Sequence, residues 1–154
     1  MDLTKLLNPA ATRVAAAMTS KKRLFHDLGE IAHAVYGMPG ADAVDALIDR
    51  ENLGPTGVGG GVALPHARMT GIDRVHGIFL KLDKPMDFAS VDRQPVDLIF
   101  ALFAPESAGV EHLKALAVVS RTMRNADLCA KLRANDDPAT LHTLLTAGHA
   151  TQAA

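Results

Sequence analysis

The sequence has little of what holds a small secreted or metal-dependent domain together. Among its 154 residues Cys129 is the one cysteine, so no disulfide can form within the chain, and the composition suits a reducing cytoplasm. Seven histidines are present, but no H-E-x-x-H motif occurs. His26 and His33 would lie about 10 Å apart on one helix, too far to share a zinc ion. We therefore predict neither a metal site nor a cofactor.

An excess of charge of one sign and a long hydrophobic run are also lacking. The 16 Lys and Arg residues nearly balance the 17 Asp and Glu residues, so no long-range field attracts phosphate backbones and we expect no nucleic-acid partner. The longest apolar run, at 98–104, has seven residues, whereas a membrane helix needs about 20. The N-terminus has no apolar signal-peptide core. These absences predict a cytoplasmic protein that is not inserted in a membrane.

Hydrophobic periodicity predicts an α/β fold in a single domain. A chain of this length buries roughly two thirds of its unfolded surface, enough for one core. Apolar residues recur at helical spacing over 20–37, 41–51, 110–124, 127–133 and from Asp137-Pro138 onward. Apolar runs at 75–82 and 95–105 predict strands, and the second is central because it is apolar on both faces. We expect a sandwich of helices over a sheet, with a frayed tail at 147–154.

The most unusual segment is rich in glycine and ends in a histidine. Five of the chain's 12 glycines fall within the eight residues 54–61, and Leu64, Pro65 and His66 follow shortly. Neither G-x-x-x-x-G-K-[ST] nor G-x-G-x-x-G occurs there, which excludes a P-loop and a dinucleotide fingerprint. The glycines are open to three interpretations: amides that cradle a phosphate, a loop that lets another protein approach His66, or a plain turn.

His66 has a setting that favours chemistry over a surface role. Pro65 fixes φ and pushes Leu64 toward extended backbone, which places the imidazole at the end of a short strand, VAL. Near neutral pH much of the imidazole is uncharged, and its free ring nitrogen is a nucleophile that can attack phosphorus. A serine hydrolase is not indicated, since no G-x-S-x-G elbow is present.

A close family resemblance begins at the glycine-rich segment, which reads GPTGVGGGVALPHAR. It resembles the enzyme IIA proteins of the bacterial phosphoenolpyruvate-dependent phosphotransferase system, in the fructose/mannitol/nitrogen-regulatory family. The likeness continues in LIDRENLG, DFASVDRQPVDLIFALFAP and EHLKALAVVSR, and covers about 3–146 in order and spacing. It implies one type-2 EIIA domain over 1–154, with a mixed central sheet flanked by helices. The opening MDLTKLLNP is most similar to the nitrogen-regulatory branch, IIA-Ntr.

The resemblance implies a role for each matching residue. His66 is expected to be phosphorylated through Nε2, His112 to donate a hydrogen bond to the phosphoryl oxygens or to His66, and Arg50 to stabilise the transferring charge. The loop residues expected near the phosphate are Thr56, Gly57, Gly59, Gly60 and Gly61. Gly60 stands where the family commonly has Asn, and Ala67-Arg68 where it commonly has Gly-Lys.

The resemblance also implies a phosphoryl carrier as the function. The donor is expected to be an NPr- or HPr-like histidine phosphocarrier, and the targets regulatory partners such as potassium transport regulators or stress-nucleotide enzymes. The alternative is a sugar IIA component that passes phosphate to a separate fructose- or mannitol-type IIB permease domain. The oligomeric state is open.

Two details of the surface around His66 are also predicted. We expect Val58, Val62, Leu64 and Met69 to form a shallow apolar surface for a docking partner. Glu51, like its neighbour Asp49, is expected on a solvated helix face.

Overall fold

The structure is a computed structural model that describes residues 2–153, with side chains over 2–147. Over the described residues it has these helices: α1 Leu3–Leu6, α2 Lys21–Tyr36, α3 Gly40–Asn52, α4 Gly109–Met123, α5 Ala126–Arg133 and α6 Pro138–Ala153. The strands are β1 Leu7–Ala15, β2 Gly57–Gly59, β3 Val62–Ala63, β4 His66–Met69, β5 His76–Met86 and β6 Val96–Pro105.

A mixed sheet forms the centre of the fold. Its strand order is β1-β5-β6-β3-β2, and β4 also pairs with β6. β5 and β6 are antiparallel, whereas β1 runs parallel to β5, and β3 and β4 run parallel to β6. The mixed sheet expected from the family resemblance is therefore confirmed, and so is the α/β fold.

β6 is the central strand, as its apolar run predicts. Residues 98–105 are all buried, on both faces of the strand. Side chains point to alternate faces of a strand, so this pattern requires cover on both sides of the sheet. One group of helices, α2 and α3, packs together over β1, β4 and β5, and a second group, α4 to α6, packs together over β1 and β6.

The predicted helices begin and end close to where the sequence places them. Ser20 caps α2 by accepting a hydrogen bond from the Arg23 amide, and Asp137 accepts one from the Thr140 amide at the start of α6. α2 and α3 then cross closely at Gly29, where a Cβ would collide with Val44 and with the carbonyl oxygen of Gly40. The crossing fixes α3, which delivers Arg50 to the site described below.

The periodicity missed four short or irregular elements: α1, β1, β2 and β4. β1 pairs with β5 through an irregular register between Leu7 and Thr12, and Asn8-Pro9 weakens its strand pattern. α6 continues to Ala153. The predicted fraying of 147–154 stays a prediction, because the side chains after 147 lie outside the described residues. In the described part of the chain, no helix combines the length and hydropathy needed to cross a membrane.

Candidate functional site

His66 begins β4, directly after Pro65 interrupts the line of strands along one edge of β6. β3 pairs with Leu98 and Ile99, and β4 resumes at Leu102, so the imidazole is anchored by paired backbone on both sides of the interruption. Its Nδ1 lies 2.9 Å from the Leu64 carbonyl oxygen. A carbonyl only accepts hydrogen bonds, so Nδ1 carries the proton of the neutral ring and Nε2 keeps the lone pair.

Arg50 meets His66 at this nitrogen. It lies in the last turn of α3, and its Nε is 3.3 Å from His66 Nε2. Its Nη1 donates to the Gly54 carbonyl oxygen at 3.0 Å, which fixes the plane of the guanidinium. The structure thus brings together the predicted nucleophile and the predicted cation.

His112 closes the site from the first turn of α4. Its ring centroid is 5.6 Å from that of His66, with 46° between the ring planes. The residue is only 6% exposed, and its Nδ1 is buried without a hydrogen-bond partner. A buried polar atom without a partner is costly in a folded protein, so the packing around Nδ1 of His112 is not explained by stability alone.

Both histidines are held in the neutral form. Burial is the main reason that the pKa of His66 lies below its ordinary value of 6.5, and Arg50 lowers it further, against the opposing effects of the Leu64 hydrogen bond and Glu51. Burial also lowers the pKa of His112, followed by the charges of His66 and Arg68. The lone pair on His66 Nε2 therefore stays available at neutral and mildly acidic pH.

The glycines 59–61 form a hairpin turn between β2 and β3. Gly60 and Gly61 have φ of 67° and 77°, the backbone that a tight two-residue hairpin requires at both central positions. The Gly60 amide donates to Asp92 Oδ2 at 2.9 Å, and the Gly60 carbonyl accepts from Arg133 Nη2 at 2.8 Å. The Gly60 amide is thus already used within the protein, which favours the turn interpretation over a phosphate cradle at this position.

Gly57 and Thr56 are also engaged in internal contacts. A Cβ at Gly57 would collide with Ser90, so glycine there permits close packing of the 87–95 loop. Thr56 is buried, and both its amide and its hydroxyl donate to the Glu51 carboxylate. The prediction that Glu51 lies on a solvated face is therefore wrong: its side chain is 7% exposed and also binds Lys21. Asp49 is exposed, as expected.

The predicted apolar surface is correct at one position out of four. Val58 is 49% exposed, whereas Val62, Leu64 and Met69 are buried, because β3, β4 and the residues between them line up along β6 and point these side chains into the core. Apart from Val58, the large apolar side chains that are exposed lie at positions that were not predicted. The full set is Leu53, Val58, Val91, Val110 and Leu113.

These five side chains belong to the segments that carry the site, and we call them the apolar rim. Leu53 follows Arg50 at the end of α3, Val110 and Leu113 flank His112, and the Val91 amide bonds to the Gly57 carbonyl oxygen. A single exposed apolar residue needs no explanation, but several on the segments that carry one site favour an interaction surface.

Sequence reasoning also missed Arg68. In β4 the side chains alternate, so Ala67 and Met69 are buried while Arg68 is exposed on the side of His66. Its Nη1 donates to the Glu106 carbonyl oxygen at 3.2 Å. The alternation of apolar and polar residues in HARM could have indicated that Arg68 is exposed, but only once these four residues are known to form a strand.

The arrangement suits transfer of a phosphoryl group to nitrogen. A nucleophilic lone pair and a guanidinium meet beside a second imidazole ring, and cationic and N–H donors of this kind stabilise charge on the equatorial oxygens in the transition state. Among the described side chains, no group of three His, Cys, Asp or Glu residues is placed to hold a metal ion.

Comparison with known proteins identifies the family. The family model for the phosphoenolpyruvate-dependent sugar phosphotransferase system, EIIA 2, matches residues 5–148. The chain belongs to this EIIA family. It is a class of phosphocarriers of the phosphotransferase system, and the resemblance noted in the sequence is confirmed.

Several similar proteins are nitrogen regulatory proteins. The chain is 42% identical over 153 residues to a nitrogen regulatory protein of Bradyrhizobium diazoefficiens, covering 99% of this chain and all of the relative. The crystal structure of the nitrogen regulatory protein IIA-Ntr from Neisseria meningitidis superposes with a TM-score of 0.86 at 32% identity, over 94% of this chain and 99% of that one. A fructose-specific EIIA component of Haloferax volcanii is 32% identical over 67% of each chain.

Proposed function

We propose that this chain is a nitrogen-regulatory IIA phosphocarrier that is phosphorylated on His66 Nε2 by an NPr- or HPr-like histidine phosphocarrier. The observation that carries the proposal is the geometry at one atom. The Leu64 carbonyl holds the proton on Nδ1, and Arg50 Nε lies 3.3 Å from the lone pair on Nε2. The side of the ring that reacts is thus the side that carries the cation.

The transfer step needs no separate proton donor. The phosphorus–nitrogen bond on the carrier breaks as a new bond forms between phosphorus and His66 Nε2, and the phosphoryl group moves without its electron pair. The proton on His66 Nδ1 stays on that nitrogen throughout, where it is hydrogen-bonded to the Leu64 carbonyl oxygen. Arg50, held in place by the Gly54 carbonyl, donates to the incoming oxygens, and the ring of His112 offers a second hydrogen bond.

Docking of the carrier is assigned to the apolar rim. The five rim residues are exposed on the segments 50–61, 87–95 and 109–113, which also carry Arg50, the glycine hairpin and His112, and they offer a partner apolar area on these segments. The regulated partners would use the same face. We propose that these partners include potassium transport regulators or stress-nucleotide enzymes, and that the protein works in the cytoplasm.

Phosphorylation provides the switch. It adds nearly two negative charges at the centre of an apolar rim, so binding to a regulatory partner should weaken about ten- to hundredfold. Calorimetry of the free and phosphorylated protein against an identified partner tests this step. Equal affinities for the two states contradict the switch and leave the phosphocarrier chemistry intact.

The second candidate is a sugar IIA component that passes phosphate to a IIB permease domain. The similarity to a fructose-specific EIIA component supports it. The two functions differ in where the phosphate goes. Labelled protein mixed with a IIB domain and sugar transfers its label to a IIB cysteine in the sugar route, whereas state-dependent capture of a regulatory protein supports the nitrogen-regulatory route.

The phosphorylation itself is tested with phosphoenolpyruvate, enzyme I and an NPr-like carrier. We expect one phosphate per chain that survives alkali and is lost in acid, because protonation makes imidazole a good leaving group. His66→Ala should abolish labelling. His26→Ala is the matched control, since His26 is exposed on α2 and pairs only with Glu30. An acid-stable phosphate, or full labelling of His66→Ala, contradicts the proposal.

A further inference from the structure

The Glu51 carboxylate is one of the most heavily bonded polar groups near the site. Oε2 accepts from Lys21 Nζ at 2.8 Å and from the Thr56 amide at 3.0 Å, and Oε1 accepts from the Thr56 hydroxyl. The side chain is 7% exposed. A buried carboxylate is stable only when paired and hydrogen-bonded, and Glu51 meets both conditions.

These bonds close the loop between α3 and β2. Thr56 precedes β2, so two hydrogen bonds from Thr56 to Glu51 bring the start of the hairpin back to the last turn of α3. Between them the Leu53 and Gly54 amides donate to the carbonyl oxygens of Arg50 and Glu51. The position of the Gly54 carbonyl is therefore determined by a loop whose two ends Glu51 holds together.

That carbonyl is the second anchor of Arg50. Arg50 Nη1 donates to it, while Arg50 Nε faces His66 Nε2. The guanidinium is planar, so fixing one nitrogen fixes the direction of the others. A shift of the Gly54 carbonyl changes where Arg50 Nε points.

Lys21 connects the same carboxylate to more distant parts of the site. It is the first residue of α2, and its Nζ lies 4.6 Å from the centre of the Phe88 ring. Phe88 belongs to the 87–95 loop, which packs on Gly57 and carries Val91 of the apolar rim. Glu51 thus joins α2, α3, the hairpin and a rim loop at one point.

We propose that Glu51 is a positioning residue for the phosphoryl-transfer site: it fixes the loop that aims Arg50 at His66, and its charge balances Arg50 beside the nucleophile. This inference rests on the phosphocarrier function proposed above. The charged groups that face His66 are Arg50 and Glu51 from α3, Arg68 from β4 and, when protonated, His112 from α4. Of these, Glu51 carries the negative charge.

The electrostatic part of the role has a direction. Glu51 raises the pKa of His66, whereas Arg50 lowers it. Glu51→Gln keeps the shape of the side chain and removes its charge, so the pKa of His66 should fall below its wild-type value. A purely structural role in packing predicts no such shift.

The experiment compares Glu51→Gln with Asp49→Asn, which removes the same charge from an exposed position two residues away. With an NPr-like carrier as donor, we expect kcat for phosphoryl transfer to fall about tenfold or more in Glu51→Gln, with KM for the carrier within about twofold. Asp49→Asn should match wild type. NMR titration of the His66 ring should give a lower pKa for Glu51→Gln and an unchanged one for Asp49→Asn.

A second variant covers the case in which Glu51→Gln does not fold. Thr56→Val removes one donor to the carboxylate and leaves the charge, so kcat should fall by a smaller factor while the pKa of His66 changes little. A folded Glu51→Gln protein with wild-type kcat, or with an unchanged His66 pKa, overturns the inference; so does wild-type kcat in Thr56→Val if the first variant is unfolded. If the wild-type protein is not labelled at all, the result contradicts the proposed phosphocarrier function and does not bear on the role of Glu51.

Discussion

The two sides of His66 are built differently. On the α3 side, Arg50 bonds to His66 and to the Gly54 carbonyl, and the loop beneath it is held by Glu51. On the α4 side, His112 is 6% exposed and its Nδ1 has no partner. The α3 side is thus fixed by hydrogen bonds before any ligand arrives, whereas the α4 side contains a buried nitrogen that no hydrogen bond holds.

This difference suggests a division of work in the transfer. Preorganised groups stabilise a transition state most effectively because they need not rearrange during the reaction, which describes Arg50. His112 is not held in this way, because its buried Nδ1 has no hydrogen-bond partner. We therefore expect changes on the two sides to affect transfer and stability in different proportions.

The largest effect on the rate of phosphoryl transfer is expected from a change on the α3 side. Arg50→Ala removes the cation at Nε2, so the rate of phosphoryl transfer from the carrier should fall about 10²- to 10³-fold. Arg50→Lys should recover little of this, because one ammonium cannot reach both His66 and the Gly54 carbonyl in the fork geometry of a guanidinium. Single-turnover kinetics with labelled carrier measures both. A wild-type rate in folded Arg50→Ala contradicts the assigned role.

On the α4 side, His112→Ala should slow phosphoryl transfer by about 10²-fold, since one donor to the phosphoryl oxygens is lost. Its stability should change little. The contacts of the ring are lost, but so is a buried polar atom whose lack of a partner costs about 1–3 kcal/mol. Thermal unfolding measured alongside the kinetics separates the two effects. A large loss of stability with a normal transfer rate would contradict the role of His112 in transfer.

The pH dependence distinguishes the neutral from the charged histidine pair. Because burial lowers the pKa of both rings below 6.5, the rate should stay flat as pH falls to that value and decline only below it. Stability follows the same sign. The unfolded chain takes up protons at these histidines first, so the free energy of unfolding should begin to fall as pH drops below about 6.5. A rate that already declines above pH 7 contradicts the geometry.

The smallest effect concerns the apolar rim. Leu113 is 64% exposed beside His112, so Leu113→Ala should leave stability unchanged and weaken carrier binding about three- to tenfold. Its matched control is Leu116→Ala, one turn further along α4, where the side chain packs partly against the core. That variant should lose stability and keep its affinity. If Leu113→Ala keeps its affinity for the carrier and Leu116→Ala loses it, the apolar rim is not the docking surface.

The sequence predicts long elements well because each carries its own period. The α2 caps, the apolar run 98–104 within β6 and the start of α6 at Asp137-Pro138 are all in their predicted places. β1 and β4 were missed because their identity depends on the strands beside them. Four residues such as HARM alternate in burial only once β6 has provided a partner.

In the site, the residues quoted from the family motifs come together, but their surroundings could not be inferred. Lys21 and Glu51 are 30 residues apart, and no local pattern predicts that they meet. The same applies to Arg133, which reaches the Gly60 carbonyl from α5 across 73 residues. Contacts of this kind depend on how the helices pack over the sheet. The predictions for Glu51 and for the apolar surface were wrong because they did not include this packing.

The hydrogen bond from His66 Nδ1 to the Leu64 carbonyl has an evolutionary consequence. The tautomer of His66 is set by a main-chain atom, which no point mutation can delete, and Pro65 restricts the backbone beside that atom. Sequence drift in the glycine hairpin or in the apolar rim can therefore change which proteins bind without altering the unprotonated nitrogen of this ring. Such a separation lets lineages acquire new partners around an unchanged chemical step.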